Sequence, residues 1–187
     1  MSPTTTSARA PLPDIGSVRA GELTLVRCRP EQWQVLRRLH LDMLDEAPEL
    51  FAERPSLART RSPERWRELA RRGAGHGRGE AIWFAMTPAG GAVATMAARL
   101  TADGDATLSS CWVEPDWRCR GIATGLIVTA EGWATALGAP RISTWVADRN
   151  VPGRALLRRC GYVDTPVRMV LARDHLVEHV VTKVLAV

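Results

Sequence analysis

Lysine is almost missing from this chain: Lys183 is the only one among 25 basic residues, so nearly all of the positive charge is arginine. A net charge of +5 would by itself suggest an anionic partner. The arginines, however, are scattered and not gathered into an arm, and aromatic side chains do not interleave with them as a base-stacking surface requires. Nucleic acid is therefore not expected as a partner, and the Arg-, Ala-, Gly- and Pro-rich composition fits a GC-rich bacterial genome. No apolar run approaches the roughly 20 residues of a membrane-crossing helix, so no membrane association is expected. The four cysteines, Cys28, Cys111, Cys119 and Cys160, form no CxxC pair, and no histidine stands at metal-ligand spacing from them. They are read as reduced thiols of a cytoplasmic protein, with Cys111 and Cys160 as packing residues. The first 20 residues lack the apolar core of a secretory signal and are read as a disordered arm ahead of one domain at 21–187.

What is present is a clear change of periodicity along the chain. Residues 23–27 alternate as a strand, and a helical pattern with Trp33, Leu36, Leu39, Met43 and Leu44 follows Pro30. Ser62 and Pro63 open a second helix, which ends near the glycines at 73–79. Strands at 81–87, 92–100 and 106–113 are separated by the turn signals Ala89-Gly90-Gly91 and Asp103-Gly104-Asp105, which predicts an antiparallel meander. The stretch 121–137 then carries Ile122, Leu126, Ala130, Trp133 and Leu137 on one helical face, and Gly138 stops it. A strand at 141–147, a short helix after Asn150 ending at Gly161, and a closing strand at 176–185 complete the order β-α-α-β-β-β-α-β-α-β. Meander first and crossovers later imply an α/β mixed sheet covered by helices. The segments 47–61 and 165–174 are expected to be long loops.

The informative segment runs from Val113 through Glu114-Pro115-Asp116-Trp117-Arg118-Cys119-Arg120-Gly121-Ile122-Ala123-Thr124. A strand ends, a tight loop follows, and a helix opens near Gly121. The first amides of a helix have no intrahelical partner and carry part of the helix dipole, so they can hold a phosphate without any side chain. Gly121 and Ala123 keep that surface small, and Arg118 and Arg120 add positive charge at its rim.

This segment resembles the pyrophosphate signature of the GNAT acetyltransferase superfamily: Arg or Gln, two residues, Gly, one residue, then Gly or Ala. Arg118, Gly121 and Ala123 occupy those places, and Trp112-Val113 with Pro115 is similar to the end of the family's fourth strand. The family often has Gly where this chain has Cys119. A second segment is also similar: Asn150, Gly153, Leu156, Gly161 and Tyr162 match a pattern of Asn, a small residue, Leu, and a closing Gly-aromatic pair. Leu157 stands where the family usually has the tyrosine that protonates the leaving thiolate, and Tyr162, the only tyrosine, is at a packing position.

The resemblance implies a mostly antiparallel sheet with one splayed parallel pair, flanked by helices, and an N-acetyltransferase using acetyl-CoA. It implies that coenzyme A lies along Cys111, Trp112 and Val113, on the loop of Arg118, Cys119, Arg120, Gly121, Ile122, Ala123 and Thr124, and beside Asn150, Gly153 and Leu157. The acceptor is expected to be a small-molecule primary amine, with protein amino groups, or a weakly catalytic acyl-CoA sensor, scaffold or biosynthetic accessory, as alternatives. A homodimer is compatible with the resemblance. No acid or base can be assigned: Asp105, Glu114 and Asp148 lie near the relevant strand ends but read more simply as turn or surface carboxylates. His40, His76, His175 and His179 read as structural or exposed, Trp112 and Trp145 as core, and Arg154, Arg158 and Arg159 mostly as a solvated helix face.

Overall fold

A computed structural model describes residues 18–20, 22–76, 79–171 and 176–186. Among them is one sheet of eight strands in the spatial order β1-β2-β3-β4-β5-β6-β8-β7. In chain order the strands are β1 (Val18–Ala20), β2 (Leu23–Arg27), β3 (Glu80–Met86), β4 (Ala92–Leu100), β5 (Ala106–Val113), β6 (Arg141–Ala147), β7 (Val163–Leu171) and β8 (Leu176–Val184). The helices are α1 (Trp33–Glu46), α2 (Pro55–Arg59), α3 (Pro63–Arg71), α4 (Ile122–Ala136) and α5 (Val151–Arg159). Every neighbouring pair is antiparallel except β5 with β6. No helix among the described residues is long and apolar enough to cross a membrane.

The sheet separates two cores, and β3 shows how. Ala81, Trp83 and Ala85 point into the core under α4 and α5, while Phe84 joins Leu39, Met43, Leu44 and Trp66 in the core under α1 and α3. A strand covered on both faces needs a continuous apolar run and not an alternating one, which is what Ile82-Trp83-Phe84-Ala85-Met86 supplies. Helix α1 buries the predicted Leu36, Leu39, Met43 and Leu44, and α4 buries Ile122, Leu126, Ala130 and Trp133. Ser62 caps α3 by accepting a hydrogen bond from the Arg65 amide at 3.3 Å, as its position before Pro63 predicts.

Three elements depart from the sequence reading. Val18–Ala20 pairs with Leu23–Leu25, so the sheet takes in three residues that were assigned to the arm; residues 1–17 lie outside the described residues. Within 47–61, a 3₁₀ turn at Pro48–Leu50 and the one-turn helix α2 replace the expected loop. Most of 165–174 is not a loop but strand β7, with 172–174 outside the described residues. Pro166 sits inside β7, beside a register shift between Asp164 and Arg168. A proline cannot donate to a ladder and is tolerated only at an edge or a bulge. β7 is that edge, and most of its residues are exposed.

Leu126 is fully buried between α4 and the sheet, whereas Val128 on the same helix is 56% exposed. Leu126→Ala should cost about 2–5 kcal/mol in urea unfolding. Val128→Ala should stay within about 0.5 kcal/mol of the parent.

Candidate active site

The parallel pair at the centre of the sheet is joined over a short length only. Ala106, Thr107 and Leu108 of β5 register with Ile142, Ser143 and Thr144 of β6, and beyond that point the two strands have no partners in one another. The cause lies on the other side of β5. Against β4 the register runs Ser109 to Ala97 and then Trp112 to Thr95, so Ser110 and Cys111 together oppose Met96. Ser110 takes the left-handed φ of 53° that this bulge demands. The bulge bends β5 away from β6, and the Thr144 hydroxyl donates to Leu108 O at 3.1 Å where the zipper stops. The backbone from Ser109 to Val113 therefore faces an open gap on its β6 side. Trp112 and Val113 anchor this segment by burying their side chains in opposite cores.

Cys111 is not the packing residue that its apolar surroundings suggested: it is exposed at the bulge. Surrounding protein still desolvates the thiol itself, and this, with the neighbouring Cys160 thiol, pushes it up to about 12. It stays protonated at neutral pH and is a poor nucleophile.

At the mouth of the gap lies the glycine loop. A 3₁₀ turn at Pro115–Trp117 leads into Arg118, then Cys119 with φ 59° and Gly121 with φ 78° as the N-cap of α4. Cys119 thus adopts the left-handed conformation that glycine takes more easily, and the loop keeps its shape with a cysteine there. A Cβ built at Gly121 would meet nothing within 4 Å, so the space above this helix end is open. The first intrahelical bond is Gly125 N–H to Gly121 O at 2.9 Å. That leaves the amides of Ile122, Ala123 and Thr124 free at the positive end of a 15-residue helix dipole.

The two rim arginines are held by the protein itself. Arg118 donates from Nε to Val113 O at 2.9 Å and from Nη2 to Glu46 Oε2 at 2.6 Å. Arg120 donates to Asp116 O at 3.0 Å and lies 4.9 Å over the Trp117 ring. Glu46, the last residue of α1, also accepts from Trp112 Nε1 at 2.7 Å. Burial pulls the Glu46 carboxyl up, but the hydrogen bonds from Arg118 and Trp112 and the Arg118 charge outweigh it and hold the group below the usual range. Sequence reasoning missed Glu46, because nothing in a helix-terminal glutamate announces a partner 66 residues away.

Helix α5 flanks the gap on the α4 side. Asn150 caps it, its Oδ1 accepting from Gly153 N at 2.9 Å, and a Cβ at Gly153 would fall 2.6 Å from the Asn150 amide. That approach is why the position is glycine. Leu157 is buried in the α4-side core, so this position has no proton to offer. Tyr162 packs as expected: its hydroxyl is buried toward Glu131, Lys183 sits 5.9 Å from its ring, and burial raises its pKa far above the usual tyrosine range. Arg154 pairs with Asp148 and Asp164 and is half-buried, whereas Arg158, which pairs with Asp164, and Arg159 lie on an exposed helix face as expected.

The carboxylates considered as bases are all engaged. Asp105 pairs with Arg141 at 2.8 Å, Glu114 with Arg38 at 2.8 Å, and Asp148 with Arg154 and the buried His179. His40 is half-buried against Glu53 at 2.9 Å and edges onto Trp66, a structural role. His175 and the side chain of His76 lie outside the described residues. Trp145 corrects the expectation of a core residue: it is 39% exposed on the face of β6 that α1 leaves uncovered. On that face, Glu178 of β8 registers with Ala147. Its carboxylate has no hydrogen-bond or ion-pair partner among the described residues, and burial raises its pKa. The signal for Glu178 was available in Leu176-Val177-Glu178-His179-Val180: an acidic residue in phase with buried apolar neighbours.

The Glu46 network ties α1 to the loop, and its removal is testable. Glu46→Ala leaves the Trp112 indole N–H without a partner and should cost about 1–2 kcal/mol at pH 7 in urea unfolding, mostly through Trp112 because Arg118 is largely exposed. Since the folded pKa of Glu46 is depressed, the parent's advantage should persist through mildly acidic pH. The part of it that comes from the carboxylate charge should be lost as the pH falls through that depressed value.

No curated protein matches the chain. Solved structures with the same fold include a GNAT-family acetyltransferase from Streptococcus pneumoniae, at a TM-score of 0.75 and 15% identity over 88% of this chain and 100% of that one. They also include spermidine N-acetyltransferase from Vibrio cholerae in complex with CoA and spermine, at a TM-score of 0.70 and 17% identity over 88% and 96% of the two chains. The microcin self-immunity acetyltransferase MccE, in complex with acetyl-CoA and AMP, has a TM-score of 0.69 and 14% identity over 91% and 97%. The model of the Acetyltransferase (GNAT) family matches residues 39–162, from α1 to the Gly161-Tyr162 step, and so contains the bulged strand, the glycine loop and α5. The chain belongs to the GNAT acetyltransferase family and is an N-acetyltransferase that uses acetyl-CoA.

Proposed function

We propose that the chain acetylates the primary amine of a small molecule, by direct attack of the amine on acetyl-CoA in a ternary complex. The observation that carries this reading is the gap between β5 and β6, open along Ser109–Val113 and ending at the free helix amides of Ile122, Ala123 and Thr124. The residues fit coenzyme A. The helix end would take the pyrophosphate through backbone donors, and the unpaired edge of β5 would pair with the amide-bearing pantetheine arm as a further strand. Arg118 serves this site by fixing the loop against Val113 and Glu46, and Asn150 with Gly153 fixes the start of α5.

The acetyl carbonyl then lies beside the β5 bulge, where a strand N–H between Cys111 and Val113 can stabilise the oxyanion that forms when the amine attacks. The protonated thiol of Cys111 supports direct transfer over an acyl-cysteine intermediate. With Leu157 in the core, the thiolate leaves without a tyrosine acid. Coenzyme A tolerates this, because an unperturbed thiol pKa is about 8.5. The small-molecule acceptor is supported by the uncovered face of β6 and β8 around Trp145, and by the spermidine enzyme among the structures of the same fold.

Thiol release from acetyl-CoA, followed across a panel of small primary amines and a lysine-bearing peptide, tests this reading. Release with at least one small amine and none with the peptide is expected; the reverse order would overturn it. For the cofactor site, Gly121→Pro removes a backbone donor and cannot adopt φ 78°, so calorimetry should show coenzyme A binding abolished. Gly121→Ala meets no steric obstacle and should weaken binding and stability by only about 1–2 kcal/mol, the cost of a left-handed alanine.

A further inference from the structure

The face of the sheet on the α1 side is covered only in part. Over β6, β8 and β7 it leaves Trp145 and Met169 each 39% exposed. Strand pairing sets Ala147, Glu178 and Met169 side by side across the three strands, and Leu171 beside Leu176 one step further along. Pro48, Glu49, Phe51 and Ala52, from the segment after α1, close over Leu171, Leu176 and Arg149 at the end of this face. That end is a small apolar hollow, and beside it Trp145 and Met169 stay open to solvent on the side of the sheet away from α4.

Glu178 stands on this face, between Ala147 and Met169. Glu178 is 8% exposed. It is one strand, about 4.8 Å, from β6, which forms the wall of the gap. We propose that Glu178 takes the proton from the acceptor's ammonium, through an intervening water where the amine does not reach it, and that the exposed apolar side chains beside it, Met169 and Trp145, select a single amine carried on an apolar body. This rests on the acetyl transfer to a small amine proposed above and names the acceptor class and the base.

Glu178 is costly where it stands. Burial without a partner disfavours its charged form and raises its pKa. Asp105, Glu114 and Asp148 spend their charge on arginines, whereas Glu178 keeps its own free for an incoming cation. Among the described residues, Arg141 lies further along this face of β6, paired with Asp105, and Glu49 and Arg149 stand at its other end. On the strands packed against it, Glu178 faces Ala147 and Met169, which carry no charge. A polyamine would set its further ammonium groups against Met169, Trp145 and the Arg149 guanidinium, with Glu49 a second carboxylate only at the far end. An amine with one charge and a hydrocarbon body matches the apolar side chains and the carboxylate together.

The chemistry balances with these groups. The ammonium gives one proton to the Glu178 carboxylate and becomes a neutral amine. Its lone pair forms the new C–N bond at the thioester carbonyl, and the C–S bond breaks with its electron pair leaving on sulfur. The proton still in excess on the new amide nitrogen goes to that thiolate. Glu178 then returns its proton to water, so one proton is released to solvent per amide formed.

The test uses the full chain, acetyl-CoA, and hexylamine, benzylamine and spermidine as acceptors. The kcat/KM for hexylamine or benzylamine should exceed that for spermidine by at least about tenfold. Its acid limb should lie above the ordinary glutamate range of about 4.3, rising with pH as Glu178 deprotonates. Glu178→Gln should lower kcat/KM by about 10²–10⁴-fold and abolish that limb, while coenzyme A affinity stays within about twofold. Its Tm should hold or rise, because an unpaired buried charge has been removed. Glu178→Asp should recover part of the rate. A Glu178→Gln enzyme with the parental rate and pH profile, a fall in Tm in step with the rate, or a preference for spermidine would overturn the inference. A wild-type protein that binds coenzyme A but acetylates none of the three would overturn the small-amine reading itself, and this one with it.

Discussion

The proposed acetyl-CoA site depends on two strands that start paired and then part. A parallel pair held only from Ala106 to Leu108 leaves the following backbone groups of β5 without strand partners. Inside a sheet that would be expensive, since an unpaired buried peptide group loses its hydrogen bond and gains nothing in return. The molecule accepts it by spending one residue on a bulge, with Ser110 in a left-handed conformation, and by anchoring Trp112 and Val113 in opposite cores. The fold itself shapes this edge, so a ligand that pairs with it need not pay to form the bulge.

The same logic holds at the glycine loop. The arginines that look in sequence like phosphate ligands are used by the fold to hold the loop: Arg118 bridges Val113 and Glu46, and Arg120 lies on Trp117. Positive charge still surrounds the helix end, but the donors left free are main-chain amides. Glu46 joins this loop to α1 and, through Trp112, to the splayed strand, so one carboxylate fixes both walls of the site.

Much of the framework could be read from local chemistry. Ser62 with Pro63, the Gly90 and Gly104 turns, and the period of Leu36, Leu39 and Met43 each act over a few residues, and the elements appeared where these signals stand. The elements that were missed lacked such signals. β1 is three residues long, α2 is a single turn opened by Pro55, and β7 carries Pro166, which local rules read as a break. Only the edge position of β7 makes that proline harmless.

For the site, the sequence alone determined the motif: Arg118 to Ala123 at a strand-to-helix junction, and Asn150 to Tyr162 after the next strand. Spacing along one backbone dictates those features, since a glycine at a helix start and an asparagine cap act within a single turn. Which charges are spent and which are free was decided only by tertiary structure. Asp105, Glu114 and Asp148 find arginines from 6 to 76 residues away, Cys111 turns outward at a bulge set by pairing with β4, and Glu178 remains unpartnered among the described residues. Ion pairing and exposure depend on which strands become neighbours. That depends on the burial of whole sheet faces, which no short stretch of this chain encodes.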